Sequence, residues 1–196
     1  TMLSEVDKRA YNTLSASDTR FDSQRKTGMR KMSDQDKFLL NNAREQVKFI
    51  EREMIKVSQV AGQAMSSLSG LSGEITSLSS GLGVASNELL NVTRVLSQTG
   101  MRAQEVKVAL KALAQSSLAP TFKDMANTAE GAIAIMAQFG VSADKLGNKL
   151  GSINALAGQF AVESQDLIFA VRRAGGAFQA AGGQLEELLA LFTSVR

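Results

Sequence analysis

Counting forward from Leu40 in alternate steps of three and four residues lands on an apolar side chain at 21 of 22 positions as far as Leu113, Thr99 being the exception. A chain that is 44% hydrophobic would fill about 10 of those positions by chance. Side chains three and four apart share one face of a helix, so a stripe this long requires a partner along its length. A second stripe starts at Leu118, passes through Phe122, Met125, Leu146, Leu150, Leu167 and Leu188, and reaches Val195, apolar at 22 of 23 positions with Ser164 the exception. Between them stands Pro120, the only proline, which lacks an N–H and disfavours helix at Ala119. None of the 16 glycines falls on either stripe, the placement expected of glycines kept out of a core.

With no Trp, the single Tyr11 and abundant Ala, Leu, Ser and Gly, sheets are disfavoured and the chain is expected to be all-α. The stripes predict elongated helices with heptad seams in a coiled-coil-like oligomer. Leu at one seam position alternates with Ile50, Val57, Val92 and Val106 at the other, which in parallel assemblies leans toward a homotrimer.

A longer repeat overlies the stripes: an apolar or small residue, an acid four later and an apolar residue five later. It occurs at Val84/Glu88/Leu89, Met101/Glu105/Val106, Pro120/Asp124/Met125, Val162/Asp166/Leu167 and Gly183/Glu187/Leu188, and in degenerate form at Val141/Lys145/Leu146 with the acid displaced to Asp144. Such spacing marks a helix start, its acid facing the positive helix end. Thr121 and Ser142 are the good capping residues at the implied N-cap. The alternative fold is therefore a string of helices of about 20 residues each, broken near Gly100, Pro120, Gly140 and Gly182-Gly183. Persistence of the first stripe across copies not spaced by sevens favours a continuous rod before Pro120, roughly 110 Å long at the helical rise.

Charge divides the chain, residues 1–56 holding 21 of the 41 charged side chains. Residues 1–69 are expected to be a charged lead-in, with sparse apolar spacing around Gly28 (Asp18, Asp22, Ser23, Thr27) and a long helix from Phe38 to about Ser69. Residues 70–83 are a Gly/Ser-rich segment, helix or linker, and residues 84–196 a helical core region jointed at Pro120. The chain opens Thr1-Met2 and stops with the heptads still running, as expected of an excerpt from something longer. No signal peptide and no uncharged apolar run of membrane-spanning length are evident.

No catalytic constellation emerges, and no catalytic, cofactor-binding or metal-binding residue is assigned. The absence of Cys and His removes thiolate chemistry and the commonest metal ligand and general base, so an enzyme and a cofactor are not expected. Glu186-Glu187 are read as first-turn acids of a helix. Arg172-Arg173, Lys107, Lys111, Lys145 and Lys149 could meet phosphates but lack interleaved aromatics, and are read as solvated helix faces. Gly147-Asn148-Lys149-Leu150-Gly151 has the GxxxG pattern with a lysine inside it. Asn91-Val92-Thr93 is a glycosylation sequon by pattern alone, and Gly81-Leu82-Gly83 lacks the strand that a phosphate loop needs. Phe139, Phe160, Phe178 and Phe192 sit on the second stripe and are read as core.

The stretches Leu118-Ala119-Pro120-Thr121-Phe122, Gln138-Phe139-Gly140-Val141-Ser142 and Phe160-Ala161-Val162-Glu163-Ser164-Gln165-Asp166-Leu167-Ile168 resemble the core region of phage tail tape measure proteins. So do Val171-Arg172-Arg173-Ala174-Gly175-Gly176 and the run from Ala180 to Thr193. The resemblance covers residues 84–196 and implies a fragment of a longer chain with no catalytic residues to carry over. It implies a structural tail protein that fills the tail tube lumen, sets tail length during assembly in the host cytoplasm and is released at DNA ejection. Implied partners are further copies of itself, tail tube and tail tip proteins and tail assembly chaperones. The resemblance also implies proximity to DNA without specific binding, and contact with the host membrane on ejection. The alternative from another class is a non-viral coiled-coil scaffold or adaptor, and a third is a membrane-active helical protein.

Overall fold

The computed structural model describes residues 33–194. They form α1 (Asp34–Ala61), a 3-10 turn (Met65–Leu68), α2 (Ser69–Leu82), α3 (Ser86–Gln98), α4 (Ala103–Ser116), α5 (Met125–Phe139), α6 (Ala143–Phe160), α7 (Ser164–Ala180) and α8 (Leu185–Ser194). No strand occurs among the described residues, and the chain is all-α. It divides into two compact units, Thr1–Gln46 and Val47–Arg196.

In the first unit α1 opens on a reciprocal cap. The Asp36 N–H donates to Ser33 Oγ and the Ser33 N–H donates to Asp36 Oδ2, both at 3.1 Å, so two orphan donors of the helix start are satisfied. The stretch around Gly28, with Asp18, Asp22, Ser23 and Thr27, lies outside the described residues.

In the second unit α1 buries Ile50, Met54 and Val57, one face of the helix, and ends at Gly62 with φ 64°. Helices α2, α4 and α6 then lie side by side in one row and α3, α5 and α7 in another, each packing on the next but one, while α8 packs chiefly on α7 and more lightly on α6. Helices α5 and α7 run parallel. Gly131 and Gln138 of α5 face Ile168 and Gly175 of α7 in the same order along both helices. The stripes are the core faces of these helices: Leu71, Ile75 and Leu78 of α2, Leu89, Val92 and Leu96 of α3, Val106, Leu110 and Leu113 of α4, and Leu146, Leu150 and Ile153 of α6 are all buried. Each such side chain contributes roughly 1.5–3 kcal/mol by leaving water.

The continuous rod expected before Pro120 is not what forms, nor does the first helix reach Ser69. The string of shorter helices is the architecture. Turns at Gly62, Gly83 and Gly100 place these residues at φ 64°, 72° and 82°, a left-handed conformation that ends a helix and that glycine adopts without a Cβ penalty. The stripe keeps its phase for a different reason. Starts at Ser69, Ser86 and Ala103 are 17 residues apart, two heptads plus one three-residue step, so each new helix brings its core face back to the stripe. Ser69–Leu82 is helical despite its Gly/Ser content. Pro120 lies in the turn between α4 and α5, where it interrupts no helical hydrogen bond.

The helix-start repeat matches five of its six copies. The implied N-caps Ala85, Arg102, Ser142 and Glu163 are the observed ones, and Gln184 immediately precedes α8, its N–H donating to Glu187 Oε2 at 2.9 Å. The exception is Thr121. Asp124 itself caps α5, its side chain accepting from the Asn127 N–H at 3.0 Å, and the helix starts three residues later than the repeat implies. Helices α5 and α6 end at Gly140 and Ala161, 21 residues apart and both left-handed; at φ 51° Ala161 is the one non-glycine with positive φ among the described residues.

Both polar exceptions on the stripes are accounted for. Thr99 caps the C-terminus of α3 and is exposed, donating to the Leu96 carbonyl at 2.7 Å. Ser164 is fully buried and donates to Thr121 Oγ1 at 2.9 Å. The expectation that glycines avoid the core is overturned at Gly131 and Gly175, both buried. A Cβ at Gly131 would lie 2.2 Å from Ile168 Cγ2, and one at Gly175 would lie 2.3 Å from Gln138 Oε1, so these glycines permit the close approach of α5 and α7.

Candidate functional site

The charged residues singled out in the sequence fall largely on the seams between row neighbours. Lys107 of α4 pairs with Glu74 of α2 at 3.1 Å, Lys149 of α6 pairs with Glu186 of α8, and Arg172 of α7 pairs with Glu130 of α5. Lys123, in the turn before α5, pairs with Glu163 at the start of α7 at 3.1 Å. Arg173 sits over the ring of Phe169 with its guanidinium carbon 5.1 Å from the centroid, a cation–π contact. These cations therefore hold helix to helix within the array. Lys111 and Lys145 are exposed on α4 and α6.

Glu186 and Glu187 divide their work. Glu187 closes the start of α8, while the Lys149 side chain holds the Glu186 carboxyl below the usual carboxylate range. Glu105 is held low first by the hydrogen bond from the Arg102 side chain and then by the Arg102 N–H, which donates to Oε2 at 2.9 Å. Asp144 is held low chiefly by the Ser142 hydroxyl. All three shifts favour the ionised form at helix N-termini, where a negative charge meets unsatisfied N–H groups. None poises a carboxyl near neutral pH for proton transfer.

A polar knot that the sequence did not reveal joins three elements. Thr121, in the turn after α4, donates to Asn154 Oδ1 of α6 and accepts from Ser164 of α7. This use of its hydroxyl leaves Thr121 unavailable as an N-cap, and buried Ser164 has a partner rather than a base beside it. Thr128 adds a long contact to Gln165 Oε1 at 3.4 Å and donates to the Asp124 carbonyl at 2.8 Å.

The short motifs take structural positions. Asn91 lies inside α3 and accepts from Arg94 Nη2 at 2.7 Å, and Val92 and Thr93 are buried, so the sequon is not presented on an open loop. Gly81-Leu82-Gly83 ends a helix, the opposite polarity to a phosphate-binding helix start. Gly147 faces Ala112 of α4 at ordinary contact distance, and a groove of about 380 Å³ between α4 and α6 is lined by Ala112, Gln115, Phe122, Gly151 and Asn154. A larger groove of about 520 Å³ lies where Phe49, Val57 and Val60 of α1 approach Leu90 of α3, rimmed by Glu53, Lys56 and Arg94. Phe160 and Phe192, expected in the core, are 45% and 42% exposed, each in the last turn of its helix; Phe139 and Phe178 pack against the core from partly buried positions. Among the described residues no group of three His, Cys, Asp or Glu could hold a metal ion, and no helix is long and apolar enough to cross a membrane.

Short helices packed in a double row, locked by small-residue contacts and ion pairs between its own members, define an all-α helical array. The family described as phage-related minor tail protein matches residues 72–195, from α2 to the end of α8. The chain belongs to that family, which gives it a structural role as a component of the phage tail. No curated protein and no solved structure matches it.

Proposed function

We propose that this tail protein is a tape measure segment: in several copies it fills the lumen of the tail tube, its length sets tube length during assembly, and it leaves when DNA is ejected. The observation that carries this reading is the repeated helix start. Starts at Ser69, Ser86 and Ala103 are 17 residues apart and those at Ala143, Ser164 and Leu185 are 21 apart, so the chain builds length from units of similar size. Residues 1–69 then act as a charged lead-in, 70–83 as a connecting segment and 84–196 as the measuring core jointed at Pro120. Tail tube and tip proteins and tail assembly chaperones are its partners, and a trimer is the copy number that the seam chemistry favours.

Tail length in electron micrographs tests the reading. Removing residues 142–183, six heptads, from the protein as it occurs in the phage is expected to shorten tails in proportion to the residues removed. Tails of unchanged length would refute a measuring role for this segment.

A further inference from the structure

Residues 117–124, between α4 and α5, are the longest connection of the array, eight residues against three or four at every other turn from α2 onward. Among the described residues no ion pair or side-chain hydrogen bond joins α2, α3 or α4 to α5, α6, α7 or α8. Lys107 meets Glu74 on one side of the connection, while Arg172 meets Glu130 and Lys149 meets Glu186 on the other. The two sides meet through apolar residues of the stripes, α4 on α6 and α3 on α5. Apolar contact is non-directional and the stripes recur at each turn, so sliding one side along the helix axes by a turn, about 5 Å, buries an equivalent face. Eight residues of chain have ample reach for such a slide.

The polar knot removes that slack. It holds Thr121 between Asn154 of α6 and Ser164 of α7, which leaves only residues 117–120 between α4 and a fixed point on the other side. Those four are tightly wound: the Ser117 N–H donates to the Leu113 carbonyl at 2.9 Å, the Ala119 N–H donates to the Ser116 carbonyl at 3.0 Å, and Pro120 has its φ fixed by its ring. A slide would draw Thr121 away from both partners. Thr121 and Asn154 are half-buried and can turn to water, but Ser164 is fully buried and would be stranded. One stranded hydroxyl disfavours the shifted alignment by about 5- to 150-fold. We infer that Thr121, Asn154 and Ser164 form a register lock, positioning residues that select one axial alignment of α5–α8 against α2–α4 from those the stripes allow. This goes beyond the tail-length reading, since it concerns how the chain aligns its own helices.

The chain has no cysteine, so Gln104→Cys on α4 and Gln159→Cys on α6, both exposed, give two unique sites for spin labels. Gly147 of α6 faces Ala112 of α4 and Asn154 meets Thr121 beyond the end of α4, so the two helices run the same way and the labels sit toward opposite ends, where a slide changes their separation. The full chain with the knot intact is expected to give one distance. Thr121→Val with Asn154→Leu and Ser164→Ala replaces all three members by apolar groups and leaves no polar group stranded. This variant should keep its helical circular dichroism and add a second distance about 5 Å from the first. Inserting Gly-Ser-Gly-Ser between Ala119 and Pro120 restores the slack with the knot untouched, and should add the same second distance. Thr121→Ser retains the hydroxyl and should retain the single distance. One unshifted distance in the triple variant or in the insertion, a loss of helicity in the triple variant, or a second distance in the Thr121→Ser chain would each overturn the inference. None of these outcomes bears on tail length.

Discussion

Gly131 and Gly70 look alike in the sequence, each a glycine inside a helix and off the apolar stripe, yet they have opposite energetic signs. Gly70 is exposed with nothing near its missing Cβ, so Gly70→Ala removes backbone freedom at no steric cost and should stabilise by up to about 1 kcal/mol. Gly131→Ala drives a methyl to 2.2 Å from Ile168 Cγ2, and Ile168, β-branched and fully buried, has little room to turn away. A loss of about 1–3 kcal/mol is expected from overpacking. Urea unfolding of the two variants checks both signs, and a Gly131→Ala midpoint at or above the parent's would show that α5 and α7 can separate freely. A heptad stripe records only which residues face the core on average. It does not record which flank of the helix a second row approaches, and so it could not separate these glycines.

At the scale of the element, helix starts were legible because their chemistry is local. An acid at the third helical position and an apolar residue after it need no tertiary information, and five of six copies start where the spacing puts them. The Thr121 copy failed because a contact 43 residues away in sequence, with Ser164, claims the hydroxyl. The true start of α1 at Ser33-Asp34-Gln35-Asp36 has the same capping logic in a form the repeat did not cover. The rod failed for another reason: a stripe keeps phase through a turn whenever the spacing is a whole number of seam steps, so phase alone does not prove continuity. These starts also predict a pH response. Glu105, Asp144 and Glu186 are held below their ordinary values, so on acidification the unfolded chain takes up protons first. Their contribution to stability is complete above the ordinary carboxylate range near pH 4 and is lost as pH falls through that range to the depressed values. Melting temperature should therefore drop on acidification, and a Glu105→Gln, Asp144→Asn, Glu186→Gln triple variant should melt lower near neutrality with a shallower acid slope. A slope equal to the parent's would remove these caps from the account.

At the scale of the whole second unit, the consequence of two rows is parity. Every helix from α4 to α6 packs on the helix two before it and two after it, so its row is fixed by whether its place in the chain is odd or even. Deleting residues 142–183 removes α6 and α7 together and joins Val141 to Gln184, which leaves α8 on the side of the array where it already touches α6, now following α4. Its core residues Leu185, Leu188 and Leu189 keep their phase because 42 is six heptads. Deleting residues 163–183 alone also keeps the phase but moves α8 into the other row, where Glu186 no longer meets Lys149 and Leu188 confronts the face that α5 prepared for α7 through Gly131. The larger deletion should therefore be the milder one, retaining a single cooperative thermal transition, while the smaller broadens or abolishes it. Circular dichroism melts of the two chains decide the matter. Equal damage, or greater damage from the larger deletion, would mean that the unit is stabilised by its total buried area rather than by which helix follows which.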